Sequence, residues 1–156
     1  MDKRKFEFLI DYILRSNNFR KKADTWYRKG GDSLHVFNMQ KSSYGNQYYI
    51  NLCLAPNGME IEGLPTPKEN KCPIRARLAV LLSEDEKLYT DRLLNLEDAT
   101  LPDMEREAEF TKILSAKVIP FFDEIESIGL KKAINQGCLK KFLVSMTAKQ
   151  YLGVVE

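Results

Sequence analysis

The stretch from Leu34 to Leu54, LHVFNMQKSSYGNQYYINLCL, constrains this chain more than any other, because it reads as two strands folded on a tight turn. Ser43-Tyr44-Gly45-Asn46 supplies the turn, since Gly and Asn accept positive φ at little cost. A turn centred on Tyr44-Gly45 sets Phe37 opposite Leu52, Met39 opposite Ile50 and Lys41 opposite Tyr48; one centred on Gly45-Asn46 changes these partners but leaves each residue on the same face. Because side chains alternate along a strand, one face then carries Phe37, Met39, Tyr48, Ile50, Leu52 and Leu54, and it needs a helix over it. The other face carries Val36, Asn38, Gln40 and Ser42 against Gln47, Tyr49, Asn51 and Cys53. Amides are poor strand formers, so their clustering in mid-strand calls for an explanation.

The 156 residues are expected to form one domain, 1–156, with a core motif over 5–128 and a helical C-terminal segment over 129–156. A content of 44% hydrophobic and 29% charged residues is that of an ordinary globular protein. The net charge of +2 argues against a nucleic-acid or anionic-membrane partner. No apolar run approaches the roughly 18 residues of a membrane span, and the charged N-terminus has no apolar core of the kind a signal peptide needs. A cytoplasmic location is expected. Cys53, Cys72 and Cys138 lack pairing or metal spacing, and His35 is the single histidine, so neither a metal nor a cofactor is expected. His35 shares a strand face with Phe37 and Met39 and reads as a partly buried strand residue rather than a catalyst. Nucleophile–histidine catalysis would have to pass through it.

Phe6, Leu9, Ile10, Ile13 and Leu14 recur at helical spacing and form an amphipathic first helix, followed by a basic link, Phe19 to Lys22. Thr25 to Lys29 is a strand. Gly30-Gly31 turns it into the central hairpin, setting Trp26 opposite His35 on the core side. Pro56 to Pro73 holds four prolines and two glycines and is a long irregular connection. Ile74 to Leu82 alternates as a strand, which would project Arg75 and Arg77 onto the amide-bearing face. Ser83-Glu84-Asp85-Glu86 has capping-box form, although 83–98 also suits an edge strand. Asp103 to Ile128 is a long helix with an apolar stripe running from Met104 and Ala108 to Phe122 and Ile125, kinked or divided by Pro120. Gly129 and Gly137 bracket a short helical piece, and Phe142 to Leu152 suggests a last helix. The fold class is α+β: an antiparallel sheet of about four strands with an N-terminal helix and C-terminal helices packed on it.

Trp26-Tyr27-Arg28, Asn38-Met39-Gln40-Lys41-Ser42-Ser43-Tyr44, Tyr48-Tyr49-Ile50-Asn51-Leu52 and Ile74-Arg75-Ala76-Arg77-Leu78, in this order and spacing, resemble a bacterial family, domain of unknown function 4304. The resemblance covers roughly residues 5–128. The chain departs from it at Cys53, where the family tends to carry glycine. It implies the fold and the core motif, and no mechanism.

The residues singled out are Gln40, Asn51, Arg75 and Arg77, with Asn38 and Tyr49 beside them. Two guanidinium forks with amide donors suit a carboxylate or phosphate, so the first reading is a binding protein for an acidic or phosphate-bearing partner, a protein or a small acidic ligand. The chain itself would be a monomer or homodimer. The second reading is a hydrolase using Glu60, Glu62 or Glu69 from the proline-rich loop, because the sheet face itself has no carboxylate. Stacking of bases on Tyr27 and Tyr49 is a further reading that the near-neutral charge disfavours. A third class is purely structural: Gln40 and Asn51 hydrogen-bond across the strands, and Arg75 and Arg77 pair with Asp103, Glu105, Glu107 or Glu109 from a covering helix. An open groove supports binding, whereas a helix over the face supports the network.

Overall fold

One antiparallel sheet and the helices on its apolar face make up the fold, seen in a computed structural model that describes residues 1–154. Six strands follow one another in chain order: β1 (Arg20–Lys22), β2 (Thr25–Gly30), β3 (Ser33–Lys41), β4 (Tyr48–Pro56), β5 (Ile74–Arg77) and β6 (Leu143–Val144). The α+β class expected from the sequence is present, with two short edge strands added to the expected four. The basic link at 20–22 is β1, and β6 takes the first residues of the expected last helix, which begins at Met146 instead. The two expected helical pieces of the C-terminal segment are α5 (Leu130–Asn135) and α6 (Met146–Leu152), with β6 between them. Residues 155 and 156 lie outside the described residues.

The β3–β4 register is the one the Tyr44-Gly45 turn dictates: Phe37 pairs with Leu52, Met39 with Ile50 and Lys41 with Tyr48. The β2–β3 register differs by one turn position. Trp26 pairs with Phe37 and Arg28 with His35, because Gly31 (φ 73°) and Asp32, not Gly30-Gly31, make the turn. Gly30 stays in the strand for another reason. A Cβ there would stand 2.0 Å from the His35 ring, so only glycine fits beside that imidazole.

Helix α1 (Lys3–Arg15) is capped by Asp2, which accepts from the Arg4 amide, and it buries Phe6, Ile10 and Leu14 against the sheet's apolar face. Residues 103–128 are helical throughout as α3 (Asp103–Ile113), a wide five-residue turn (Leu114–Val118) and α4 (Ile119–Ile128). Pro120 has no N–H to bond back into the helix, and the wide turn just ahead of it absorbs the mismatch. The stripe buries Phe110, Leu114, Val118, Phe122 and Ile125, while Met104 and Ala108, expected on it, face solvent. Residues 84–93 are α2 (Glu84–Leu93), with both hydrogen bonds of the Ser83/Glu86 capping box formed.

The alternation after Ile74 ends sooner than expected. β5 stops at Arg77, and Leu78–Leu81 form a 3₁₀ turn. No helix among the described residues is long and apolar enough to cross a membrane.

Beneath α4, His35 lies fully buried and stacks on Phe122, with ring centroids 5.0 Å apart. Arg28 donates to its Nδ1 and also reaches Asp123 at 3.1 Å. Guanidinium has no acceptor, so the neutral ring carries its proton on Nε2. Burial, followed by the nearby Arg28 charge, lowers the His35 pKa to about 3. It is a core residue without access to a substrate.

Candidate functional site

The amide-bearing face is built by register. Lys22, Thr25, Asn38, Asn51 and Arg77 stand side by side in one cross-strand row; Arg20, Tyr27, Val36, Cys53 and Arg75 form the next. Hydrogen bonds run along the first row in one direction. Asn51 Nδ2 donates to Asn38 Oδ1 (2.8 Å), Asn38 Nδ2 to Thr25 Oγ1 (3.0 Å), and Thr25 Oγ1 to the Asp24 carboxylate (3.1 Å). The second Asn51 proton goes to Gln40 Oε1 at 3.0 Å, and Arg77 Nη1 reaches the same oxygen at 3.3 Å. Cross-strand pairing of this kind rationalises amides in mid-strand, since each buried polar group has a partner.

The second row is a small apolar patch of Val36, Cys53 and Cys72, flanked by Tyr27 and Leu34. The neighbouring Cys72 thiol, then burial, push the Cys53 thiol far above its usual range. Both sulfurs point at carbonyls of the 68–69 backbone, and a thiol whose pKa is raised as that of Cys53 is makes a poor nucleophile.

Among the described residues no α-helix covers this face. Asp103 and Glu107 pair with Lys5, Glu105 accepts from Tyr89, and Glu109 pairs with Lys112. The expected helix partners of Arg75 and Arg77 are therefore engaged on the opposite side of the sheet. The proline-rich connection crosses the polar face instead. Tyr27 donates to the Pro67 carbonyl (2.8 Å), Lys22 Nζ donates to Thr66 Oγ1 (2.9 Å), and Arg75 Nη2 sits 3.1 Å from Glu69 Oε2.

Between loop and sheet lies an open groove of about 580 Å³. Asn38 and Gln40 contribute to its floor, Lys22 and Asp24 to one end, and Lys41 and Lys68 to its rim. Of the six residues singled out from sequence, Asn38 and Gln40 line this groove. Asn51 is buried beside them as the hub of the amide network. Arg75 is turned to Glu69, and Arg77 lies over the Tyr49 ring at 4.5 Å, where both line a separate hollow of about 270 Å³. The six thus share one sheet face, but Asn38 and Gln40 line one concavity, Tyr49 and Arg77 another, and Asn51 and Arg75 neither. Among the described residues neither Lys41 nor Lys68 forms an ion pair. The free cations of the groove are therefore lysines. Lys22, Asp24, Lys41 and Lys68 were missed for different reasons. Asp24 and Lys68 come from a turn and the loop, where no periodicity marks a side chain's direction; Lys22 ends the three-residue β1, too short to show a period, and Lys41 ends β3, where alternation sets it opposite Tyr48 at the rim of the apolar face.

Of the three loop carboxylates considered as catalysts, Glu62 is paired with Lys71 in solvent and Glu69 is held by Arg75, while Glu60 is exposed outside the groove's lining.

A family model described as Domain of unknown function (DUF4304) matches residues 10–124. The chain belongs to the DUF4304 family. That match runs from the middle of α1 into α4, so every groove residue lies inside the DUF4304 region, while α5, β6 and α6 follow it. No curated protein and no solved structure matches the chain.

Proposed function

We propose that this chain is a cytoplasmic, non-catalytic binding protein whose groove between β2–β3 and the proline-rich loop receives a carboxylate- or phosphate-bearing partner. One observation carries this reading: two amides held by the sheet converge with three lysines on a concavity of ligand size. The cross-strand network fixes Asn38 and Gln40 before any ligand arrives, so little ordering opposes binding. Gln40 Nε2 and the Lys41 and Lys68 ammonium groups supply donors with no partner among the described residues. Charge-assisted hydrogen bonds from such donors are the strong ones. Asp24 and Glu69 temper the positive potential, which favours a ligand with its own donors, such as an acidic peptide segment, over a bare anion.

Calorimetric titration with a hexaglutamate peptide tests this. Lys41→Gln/Lys68→Gln should weaken binding at least about fivefold while changing unfolding stability by no more than about 0.5 kcal/mol. Equal binding by the variant and the wild type, or no binding by the wild type, overturns the proposal.

A further inference from the structure

A second groove lies on the same face, beyond the strap formed by Pro65, Thr66 and Pro67, and has a different character. Its volume is about 530 Å³, and Arg20, Lys22, Lys29, Tyr27, Leu34 and Pro65 contribute to its lining. No carboxylate among the described residues lines it.

Register explains the arrangement. Arg20 and Tyr27 are direct cross-strand partners, about 5 Å apart at Cβ. Lys22 and Lys29 stand one same-face step, about 7 Å, to either side. Three cations therefore surround one aromatic ring. Among the described residues none of the three forms an ion pair; Lys22 donates only to Thr66. Lys21 and Arg28 also touch the groove, but both are engaged elsewhere: Lys21 meets Glu7 and the Trp26 ring, and Arg28 pairs with Asp123. Tyr27 is pinned through its hydroxyl to the Pro67 carbonyl, so its ring is a fixed surface with Leu34 and Pro65 as apolar neighbours.

We infer that this groove is a binding site for a phosphorylated small molecule carrying a flat ring, of the size and chemistry of a nucleoside diphosphate. Arg20 and the two lysines neutralise the phosphates. A guanidinium binds phosphate oxygens in pairs, and ammonium groups act as point charges. The Tyr27 ring and its apolar neighbours take the planar part by stacking. A long nucleic acid needs a basic surface far beyond one groove, and the chain's net charge is only +2. A mononucleotide needs no more than this local trio. The inference does not rest on the acidic-partner reading of the first groove: the two use different probes and fail separately.

The test is titration calorimetry at low salt with adenosine diphosphate, inorganic diphosphate and adenosine. The exposed pair Arg20→Gln/Lys29→Gln should weaken adenosine diphosphate binding at least about tenfold, and Lys132→Gln on α5 should leave it unchanged. Tyr27→Leu should weaken the nucleotide several-fold and leave inorganic diphosphate binding as it was. Circular dichroism confirms that each variant is folded. Absence of nucleotide binding, or binding untouched by Arg20→Gln/Lys29→Gln, overturns the site. Inorganic diphosphate bound as tightly as the nucleotide overturns the assignment of the ring.

Discussion

At the scale of single residues, polar side chains in this protein have three distinct fates, and exposure separates them. His35 and Arg106 are fully buried and structural; Asn38 and Asn51 are buried in a network; Gln40, Lys41 and Lys68 are exposed and available. His35 gives the clearest consequence. Its pKa is about 3 in the folded protein against about 6.5 in the unfolded chain. As pH falls from about 6.5 towards 3, the unfolded chain therefore takes up a proton that the folded state refuses, and stability is lost over that window. Between pH 7 and pH 5 the wild type should lose about 2 kcal/mol more unfolding free energy than His35→Phe, measured by urea denaturation at both pH values. Parallel losses would show that the imidazole is not held neutral by burial.

At the scale of elements, readability from sequence followed length and locality. The two faces of the β3–β4 hairpin were readable because a clean two-residue alternation fixes them for either turn centre, while its register was one of the two that the turn residues allow. The β2–β3 turn slipped by one because Gly30 looked like a turn residue, when its glycine serves the His35 ring. β1 and β6, three and two residues long, are too short to show any period, and their pairing is imposed by the strands they join. The alternation through Leu82 outlasted the real strand because a 3₁₀ turn can bury the same apolar residues. Arg106 left no signal at all. It sits among acidic residues on α3, yet its guanidinium is buried and donates to the carbonyls of Arg92, Leu93, Asn95 and Asp98, closing the end of α2. Arg106→Met should cost about 3 kcal/mol, because it leaves several buried carbonyls without donors. Hydrogen exchange would show the loss concentrated in residues 92–98. Full protection there in the variant would contradict this role.

At the scale of the whole molecule, the sheet divides the labour. One face holds the hydrophobic core under α1, α3 and α4; the other is left to an irregular loop that roofs it only in part. Sequence alternation was enough to place Asn38, Gln40, Tyr49, Asn51, Arg75 and Arg77 on that face together. It could not show that Arg75 turns to Glu69, nor that Lys68 from the loop joins Lys22 and Lys41 from the strand ends around the groove, because the groove is closed by the loop's path. The account's central claim is that this face combines a structural amide row with donors kept for a ligand. The most direct measurement is a nuclear magnetic resonance titration of the ¹⁵N-labelled protein with hexaglutamate, reading the side-chain amides. The Gln40 amide should shift progressively and saturate, with a smaller response at Asn38. The Asn51 amide, both of whose protons are engaged within the sheet, should stay near its starting position. No saturable shift at Gln40, or shifts scattered over the helical side of the protein, would contradict the account.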